Sequence, residues 1–386
     1  MKTLINNMKV AANRRSFMKK GLAAAGLGAG MLANGLPAFG QGQQQVQNGS
    51  TPLTSGDVAI LRFVAAAELI ETDMWMQYAE LGGLTPGQLP VETAPFTPMN
   101  NYQAAFMNLD PDGPQYITSN TLDEQSHASF LNAYLISKGQ PPVDFNAFRT
   151  LPSSQATGAK QIGRLTNLMQ LTVDTSWYTR YRSTTNPDLG ATAFPQALPQ
   201  LSGGVFTGIP RTNADFGPAN HVQAIANTAA FHFGSIEQGG SSLYPTLAQK
   251  VSSLEVLKIM MSIGGDEVAH FVEWVDFSGN GVQPPVAPFT DPTNGLTFPN
   301  FDVIEAGGTT VNPLLQTNLI FPVACEFISP NLPMCAVIRP TSQSQVDAMG
   351  AAQAFIADGL FIGQPPTFIE LLLNMAAAAD AAQRTA

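Results

Sequence analysis

Apolar residues recur at intervals of three and four positions in four long stretches of the chain, which is the pattern of helices with one buried face. The first stretch, residues 54–83, begins with capping residues and ends at a Gly-Gly pair. The second, residues 115–139, ends at Gly139, and two prolines follow closely. Both stretches therefore predict amphipathic helices.

Two further stretches repeat this pattern later in the chain. The third begins at about Asn220, and a break is expected where Gly239 and Gly240 interrupt it. The fourth opens with a predicted capping box from Ser252 to Glu255. The four stretches together predict a mainly α protein built on a four-helix bundle.

One long segment separates the two helix pairs, and another follows the last helix. Residues 140–219 form a crossover, and residues 281–386 form an extension that we expect to consist of irregular chain, short strands and helices at 343–359 and 366–382. The crossover is Pro/Gly-rich loop over residues 186–218. One internal helix is predicted in it from the spacing of five apolar residues: Ile162, Leu165, Met169, Val173 and Trp177.

The predicted inward faces carry acidic residues, which are rarely buried unless they are paired. The first helix places Glu68 and Glu71 on the same face as Trp75 and Tyr78. Charged residues make up only 12% of the chain, about half the usual share, so each inward acid stands out. Since burying an unpaired carboxylate is costly, these acids are expected to have a charged partner.

The second and fourth helices each carry a Glu-x-x-His pair: Glu124 with His127, and Glu267 with His270. Positions i and i+3 lie one turn apart on the same helix face. The carboxylate and the imidazole of each pair can therefore bind one ion. Two of the four histidines in the chain lie in this pattern.

The same order of motifs occurs twice. Glu68 lies seven positions before Trp75, Glu237 lies seven before Tyr244, and a Glu-x-x-His helix follows in each case. One Glu from each of two helices and Glu-x-x-His from the other two form the ligand set of dinuclear iron and manganese sites in ferritin-like bundles. The candidate metal ligands are Glu68, Glu124, His127, Glu237, Glu267 and His270.

The sequence resembles the ferritin-like superfamily, specifically its exported branch that includes the plant desiccation-related proteins. The resemblance is carried by LRFVAAAELIETDMW, DEQSHASFLNAYL, IEQGGSSLY and DEVAHF, and it covers residues 54–280. It implies a ferritin-like fold with the six candidates as metal ligands. In one departure, Glu71 is an alternative to Glu68 as the ligand of the first helix. In another, Trp75 cannot make the tyrosine-type hydrogen bond to a ligand that Tyr244 could make. Glu71, Tyr244 and Trp75 are candidates for positions directly beside the ligands.

Mixed oxygen and nitrogen donors suit Fe or Mn better than a structural zinc ion. Two divalent ions would balance four glutamates when both histidines are neutral. The expected partners are these ions and oxygen or peroxide, and the expected chemistry is Fe(II) oxidation or the turnover of oxygen or peroxide. Two alternatives stay open: a hydrogen-bonded network without metal in a non-enzymatic stress or desiccation-related protein, and an iron-storage cage or other homo-oligomer.

Four other polar residues near these motifs receive lesser roles. Asp123 and Asp266 each directly precede a candidate ligand, and they are expected at the helix surface or beside the ligands. His221 and His232 do not share the face of Glu237, so ordinary polar contacts are expected for both.

Residues 1–40 have the features of an export signal. Arg14 and Arg15 precede a Gly/Ala-rich stretch of modest hydrophobicity, and a small-residue cleavage site ends at Gly40. This predicts twin-arginine export to the periplasm or the exterior, because the stretch is too short and too weakly apolar to span a bilayer. A polar linker, residues 41–53, is expected to follow.

Removing the predicted signal makes the chain strongly acidic. Six basic residues are lost, which leaves 12 Lys+Arg against 28 Asp+Glu, a net charge of −16. This balance argues against binding to nucleic acid or to anionic lipid surfaces, and no stable membrane span is expected in the mature chain. Cys325 and Cys335 are expected either to form a disulfide or to remain thiols.

Overall fold

A computed structural model describes the following residues: 52–88, 96–181, 195–281, 286–300, 329–335 and 347–385. Over these ranges the chain is mainly helical. The predicted export signal and nearly all of the predicted linker lie outside the described residues. The α-helices are α1 Ser55–Gly82, α2 Asn101–Leu109, α3 Gly113–Ser137, α4 Ser176–Tyr181, α5 Pro199–Gly203, α6 Ala219–Ala248, α7 Leu254–Gly281, α8 Ala348–Ala357 and α9 Pro366–Asp380. Short 3-10 helices occupy Pro86–Gln88, Asn146–Phe148 and Asn213–Phe216, and two antiparallel strands are β1 Phe289–Thr290 and β2 Thr297–Phe298.

The four predicted long helices are confirmed as α1, α3, α6 and α7. Thr54 begins α1 with a capping box, in which its hydroxyl accepts the N–H of Asp57 and its own N–H donates to the Asp57 carboxylate. Gly139 follows α3 with φ of 72°, a left-handed conformation that suits glycine after a helix. Helix α1 packs against α3, and α6 packs against α7. Two helix pairs therefore form the core of the fold.

The break expected in the third helix is wrong. Helix α6 runs without interruption through Gly239 and Gly240. A Cβ atom at Gly240 would overlap the carboxylate of Glu267 on α7. This glycine therefore admits a side chain from the neighbouring helix, and it does not end its own helix.

The predicted capping box from Ser252 to Glu255 is also wrong. Helix α7 begins one residue later than that motif requires, and the Ser253 hydroxyl accepts the N–H of Val256 at 3.5 Å. The Glu255 carboxylate instead pairs with Lys138, directly after the end of α3, at 2.5 Å.

The helix predicted inside the crossover is wrong for most of its length, since only α4 is helical there and residues 159–175 are irregular. The cause lies on α1. The Asp73 carboxylate accepts the backbone N–H groups of Leu165 at 3.0 Å and Thr166 at 2.9 Å. These donors would otherwise serve an internal helix, so a tertiary contact replaces the local hydrogen bonds.

Buried ion pairs hold the crossover to α1. The Arg164 guanidinium donates to both carboxylate oxygens of Glu80, at 3.1 and 2.5 Å, and both side chains are buried. Arg149 pairs with Asp73 in the same region. Removing one partner of such a buried pair typically costs about 3–5 kcal/mol, so the crossover is firmly fixed over this helix.

Helix α2 lies in a connection that the sequence pattern left without structure. Asn100 caps it by accepting the N–H of Gln103 at 2.8 Å. Tyr102, Phe106 and Leu109 are buried, and α2 packs against α6. These three residues are spaced by four and three positions, which is typical of a helix. The prolines on either side of the segment favoured a loop instead.

The C-terminal helices are attached to the bundle, with α9 against α1 and α8 against α9. The Asp380 carboxylate accepts the backbone N–H groups of Ala348 at 3.0 Å and Met349 at 2.8 Å. It also pairs with Lys250, just beyond α6, at 3.2 Å. One aspartate thus joins the start of α8 to the end of α6.

Three smaller observations complete the fold. None of the helices in the described ranges combines the length and hydropathy needed to cross a bilayer. Cys325 lies outside the described residues, whereas Cys335 is exposed. The 3-10 helix Pro86–Gln88 is assigned to a different compact unit from the long helices.

Candidate metal centre

The four long helices bring the six candidate metal ligands into one buried cluster, and each residue is at most 8% exposed. Helices α1 and α6 contribute one glutamate each, and α3 and α7 contribute one Glu-x-x-His pair each. The residues are Glu68 on α1, Glu124 and His127 on α3, Glu237 on α6, and Glu267 and His270 on α7.

The cluster divides into two groups of four side chains, and Glu124 and Glu267 belong to both. Glu68 and His127 complete one group, while Glu237 and His270 complete the other. In each group the potential ligand atoms all lie within 4.8 Å of one another. Two glutamates are therefore shared between two adjacent places where an ion could be held.

In the first group, Nδ1 of His127 faces three carboxylates. It lies 3.3 Å from Oε2 of Glu68, 3.6 Å from Oε2 of Glu124 and 3.6 Å from Oε1 of Glu267. The imidazole and the three carboxylates thus converge on a common volume.

In the second group, Nδ1 of His270 lies 3.2 Å from Oε1 of Glu124 and 3.4 Å from Oε2 of Glu237. Glu124 therefore turns one oxygen towards each histidine, since its Oε2 faces His127. Glu124 could therefore offer one oxygen to each of the two groups.

The inward-facing atoms of the cluster are buried without hydrogen-bond partners. Eight such atoms are Oε2 of Glu68, both carboxylate oxygens of Glu124, Nδ1 of His127, Oε2 of Glu237, both carboxylate oxygens of Glu267 and Nδ1 of His270. Buried polar atoms nearly always have a partner, and each one left without costs about 1–3 kcal/mol. Eight of them facing one volume fit cations as their common partner.

Two aromatic donors hold the glutamates of α1 and α6. The Trp75 indole N–H donates to Oε1 of Glu237 at 3.1 Å, and the Tyr244 hydroxyl donates to Oε1 of Glu68. Trp75 lacks a phenol, as the sequence shows, yet its indole N–H makes a hydrogen bond to a candidate ligand all the same. Each bond occupies one oxygen of its glutamate and leaves Oε2 facing the cluster.

The two histidines are oriented by aspartates from the opposite helix. Nε2 of His127 lies 3.1 Å from Oδ2 of Asp266, and Nε2 of His270 lies 3.4 Å from Oδ2 of Asp123. A carboxylate on the outer nitrogen fixes the tautomer and leaves the inner nitrogen free to bind a metal. Asp123 and Asp266 thus contact the candidate ligands from the surface, as the sequence predicted.

The buried carboxylates compete for protons. Burial and then the charge of Glu124 raise the pKa of Glu68 to about 8. The same two causes raise the pKa of Glu267 well above its usual range. Although burial opposes it, the nearby imidazoles of His127 and His270 lower the pKa of Glu124 to about 2. Bound cations would replace the protons and allow all the carboxylates to ionise.

Glu71 lies beside the cluster and outside both groups, so Glu68 supplies the carboxylate of α1. Burial, followed by the charges of Glu124 and Glu68, raises the pKa of Glu71 well above its usual value. Glu71 follows Glu68 by three positions, just as Gly240 follows Glu237. The two halves of the site therefore differ at this position, with a carboxylate in one and a glycine in the other.

The other two histidines do not join the cluster. Both nitrogens of His221 face carboxylates, with Nδ1 at 2.8 Å from Asp291 and Nε2 at 3.2 Å from Asp215. His221 therefore links α6 to the 3-10 helix before it and to the segment that follows α7. His232 is fully buried, and its Nδ1 lies 2.9 Å from the Tyr78 hydroxyl. The sequence did not predict this last pair, whose members lie 154 positions apart.

The buried Glu and His groups could hold metal ions, and the aromatic and aspartate contacts keep their donor atoms in place. No protein-family model, curated protein or solved structure matches the chain.

Proposed function

We propose that this chain is an exported ferritin-like protein that holds two divalent Fe or Mn ions and uses them in redox chemistry with oxygen or peroxide. The observation that carries the proposal is the convergence of eight buried, unpartnered ligand atoms from four helices. A purely structural core would satisfy or replace such atoms.

The charge of the cluster supports two ions. The four glutamates carry −4 when ionised, and two divalent cations carry +4 when both histidines are neutral. The donor set of carboxylate oxygens and imidazole nitrogens suits Fe or Mn. The two groups identified above would each hold one ion, with Glu124 and Glu267 between them.

The chain's own residues would prepare the site for this chemistry. Trp75 and Tyr244 orient two carboxylates, while Asp123 and Asp266 orient the imidazoles. Burial of the ligands excludes bulk water. When bound, a pair of adjacent Fe or Mn ions supplies the electrons that reduce oxygen or peroxide, or accepts them from Fe(II).

The proposal is tested by loading the metal-free protein anaerobically with Fe(II) and then adding oxygen or peroxide in separate experiments. We expect oxidation of the bound iron and consumption of the oxidant at rates at least tenfold above those of free Fe(II). The Glu124→Gln variant should lose this acceleration, whereas Glu255→Gln, at an exposed position of α7, should retain it. Tight binding of metal without any such reaction would favour the alternative of a non-enzymatic stress protein.

A further inference from the structure

An aromatic cluster connects the candidate metal centre to a buried tyrosine. Trp75, whose N–H is bonded to Glu237, stacks on Phe233 with ring centroids 4.7 Å apart. Tyr78 contacts the same phenylalanine edge-on at 4.5 Å, and its ring centroid lies 6.1 Å from that of Trp75. All three rings are fully buried. A continuous path of ring contacts thus runs from a candidate ligand to Tyr78.

The Tyr78 hydroxyl has a proton acceptor at hydrogen-bond distance. It lies 2.9 Å from Nδ1 of His232, and the phenol donates when the imidazole carries its proton on Nε2. Burial lowers the pKa of His232 to about 3, so the imidazole is neutral and its Nδ1 is available to accept. Burial also raises the pKa of Tyr78, so the phenol keeps its proton in the resting protein.

The crossover covers this pair. A Cβ atom at Gly208 would lie 2.6 Å from the Tyr78 oxygen and 2.8 Å from Cδ1 of Leu171, so backbone packs directly over the phenol. The Tyr102 hydroxyl donates to the Gly208 carbonyl, and the Gly208 N–H donates to Leu168 at 2.9 Å. The position of Gly208 is therefore fixed, and the phenol is shielded from water by part of the segment whose role the sequence left open.

We propose that Tyr78 is a redox-active tyrosine that supplies one electron to the metal centre through Trp75, while its phenolic proton moves to His232. The inference rests on the proposed function, because oxygen or peroxide reduced at the metals is the ultimate oxidant. The O–H bond of Tyr78 breaks, its electron fills the hole left on Trp75, and its proton forms the Nδ1–H bond of His232. The products are a neutral tyrosyl radical and an imidazolium.

The surroundings of His232 restrict this step to strong oxidants. Its Nε2 is buried without a hydrogen-bond partner, so an imidazolium gains no compensating contact at that nitrogen. Tyr78 would therefore stay reduced unless a strong oxidant withdrew an electron through Trp75. The tight cover over the phenol then protects the radical from solvent.

The first experiment uses metal-loaded protein mixed with hydrogen peroxide, freeze-quenched and examined by electron paramagnetic resonance. A tyrosyl radical signal is expected in the unaltered protein and is expected to fall at least tenfold in Tyr78→Phe. The Tyr178→Phe variant is the matched control, since Tyr178 is also buried beside a tryptophan, with its ring 5.7 Å from that of Trp177. It should retain the signal. His232→Gln should lower the radical yield at unchanged metal content.

The second experiment uses metal-free protein, in which a laser flash photoionises tryptophan. Transient absorption should show tryptophanyl radical converting to tyrosyl radical, with a component that is absent from Tyr78→Phe and slowed in heavy water. If the Tyr78→Phe variant still shows every kinetic component of the conversion from tryptophanyl to tyrosyl radical, the proposal is overturned.

Metal analysis of the same samples distinguishes the two ways of failing. A chain that binds no metal would remove the proposed function and this inference with it. A chain with both ions bound and the same radical signal in Tyr78→Phe would overturn this inference alone.

Discussion

The indole N–H of Trp75 donates to Oε1 of Glu237 at 3.1 Å, although the two residues lie 162 positions apart. In the reverse direction, Tyr244 on α6 donates to Glu68 on α1. Each helix thus holds the carboxylate that the other contributes to the cluster. The two helix pairs are thereby joined at the candidate metal centre by reciprocal hydrogen bonds.

The division of the candidate ligands into two groups predicts how metal content responds to substitution. Glu68→Gln or His270→Ala should each remove about one ion per chain, because each residue belongs to one group. Glu124→Gln should remove both, because its carboxylate serves both groups. Elemental analysis after gel filtration measures the stoichiometry.

Glu255→Gln is the control for these variants, since it replaces a glutamate that lies outside the cluster and leaves the cluster intact. Equal loss of metal in all of the cluster variants would contradict the division into two groups.

Two adjacent glycines on α6 offer a paired test of the packing against Glu267. In Gly240→Ala the new Cβ overlaps the Glu267 carboxylate, so we expect at least tenfold weaker metal binding and about 1–3 kcal/mol lower stability from overpacking. In Gly239→Ala the Cβ meets nothing within 4 Å. This control should be neutral, or more stable by up to about 1 kcal/mol through helix propensity. Chemical unfolding and metal titration check both, and similar behaviour of the two variants would refute the assignment.

The aspartates at the surface of the cluster should control affinity without being ligands. Asp266→Asn removes the charged acceptor for Nε2 of His127, and Asp123→Asn does the same for His270. Each change is expected to weaken metal binding by about 10–100-fold while the number of ions at saturation stays the same. Competition with a chelator of known affinity measures the change. A reduced stoichiometry at saturation would instead make the aspartates ligands.

The buried His232 should make the metal-free protein sensitive to acid. Its pKa falls from 6.5 to about 3 on folding because of burial, so between these values the unfolded chain binds a proton that the folded protein does not. Stability should therefore fall as the pH drops from 6.5 towards 3, with a slope approaching about 1.4 kcal/mol per pH unit from this residue.

Urea unfolding of the metal-free protein at a series of pH values measures this effect. Because other groups titrate in the same range, the quantity to compare is the difference between the unaltered protein and His232→Gln. That difference should change with pH below 6.5, and parallel stability profiles would contradict the effect.

The sequence predicted the four long helices and the six cluster residues for one reason: both depend on local spacing. Glu-x-x-His places two side chains on one helix face whatever the tertiary structure, as the α3 pair Glu124 and His127 shows. The contacts that complete the site join residues far apart in the chain. The acceptor for Trp75 and the partner of His232 depend on how the helices pack. The spacing of residues within one helix does not predict that packing.

The errors in the fold have the same origin. The crossover stretch has helical spacing, yet Asp73 on α1 takes the backbone donors of Leu165 and Thr166. Gly240 was predicted to interrupt its helix, yet the absence of a side chain there allows the Glu267 carboxylate of α7 to pack against α6. In both cases a tertiary contact overrides a local preference, so only the assembled structure reveals the result.

Elemental analysis of the protein purified without added metal or chelator tests whether the cluster holds metal. We expect about two Fe or Mn ions per chain, one for each group around Glu124 and Glu267. No stoichiometric metal, even after anaerobic loading with Fe(II), would contradict it, and the buried carboxylates would then be a protonated network within a structural bundle.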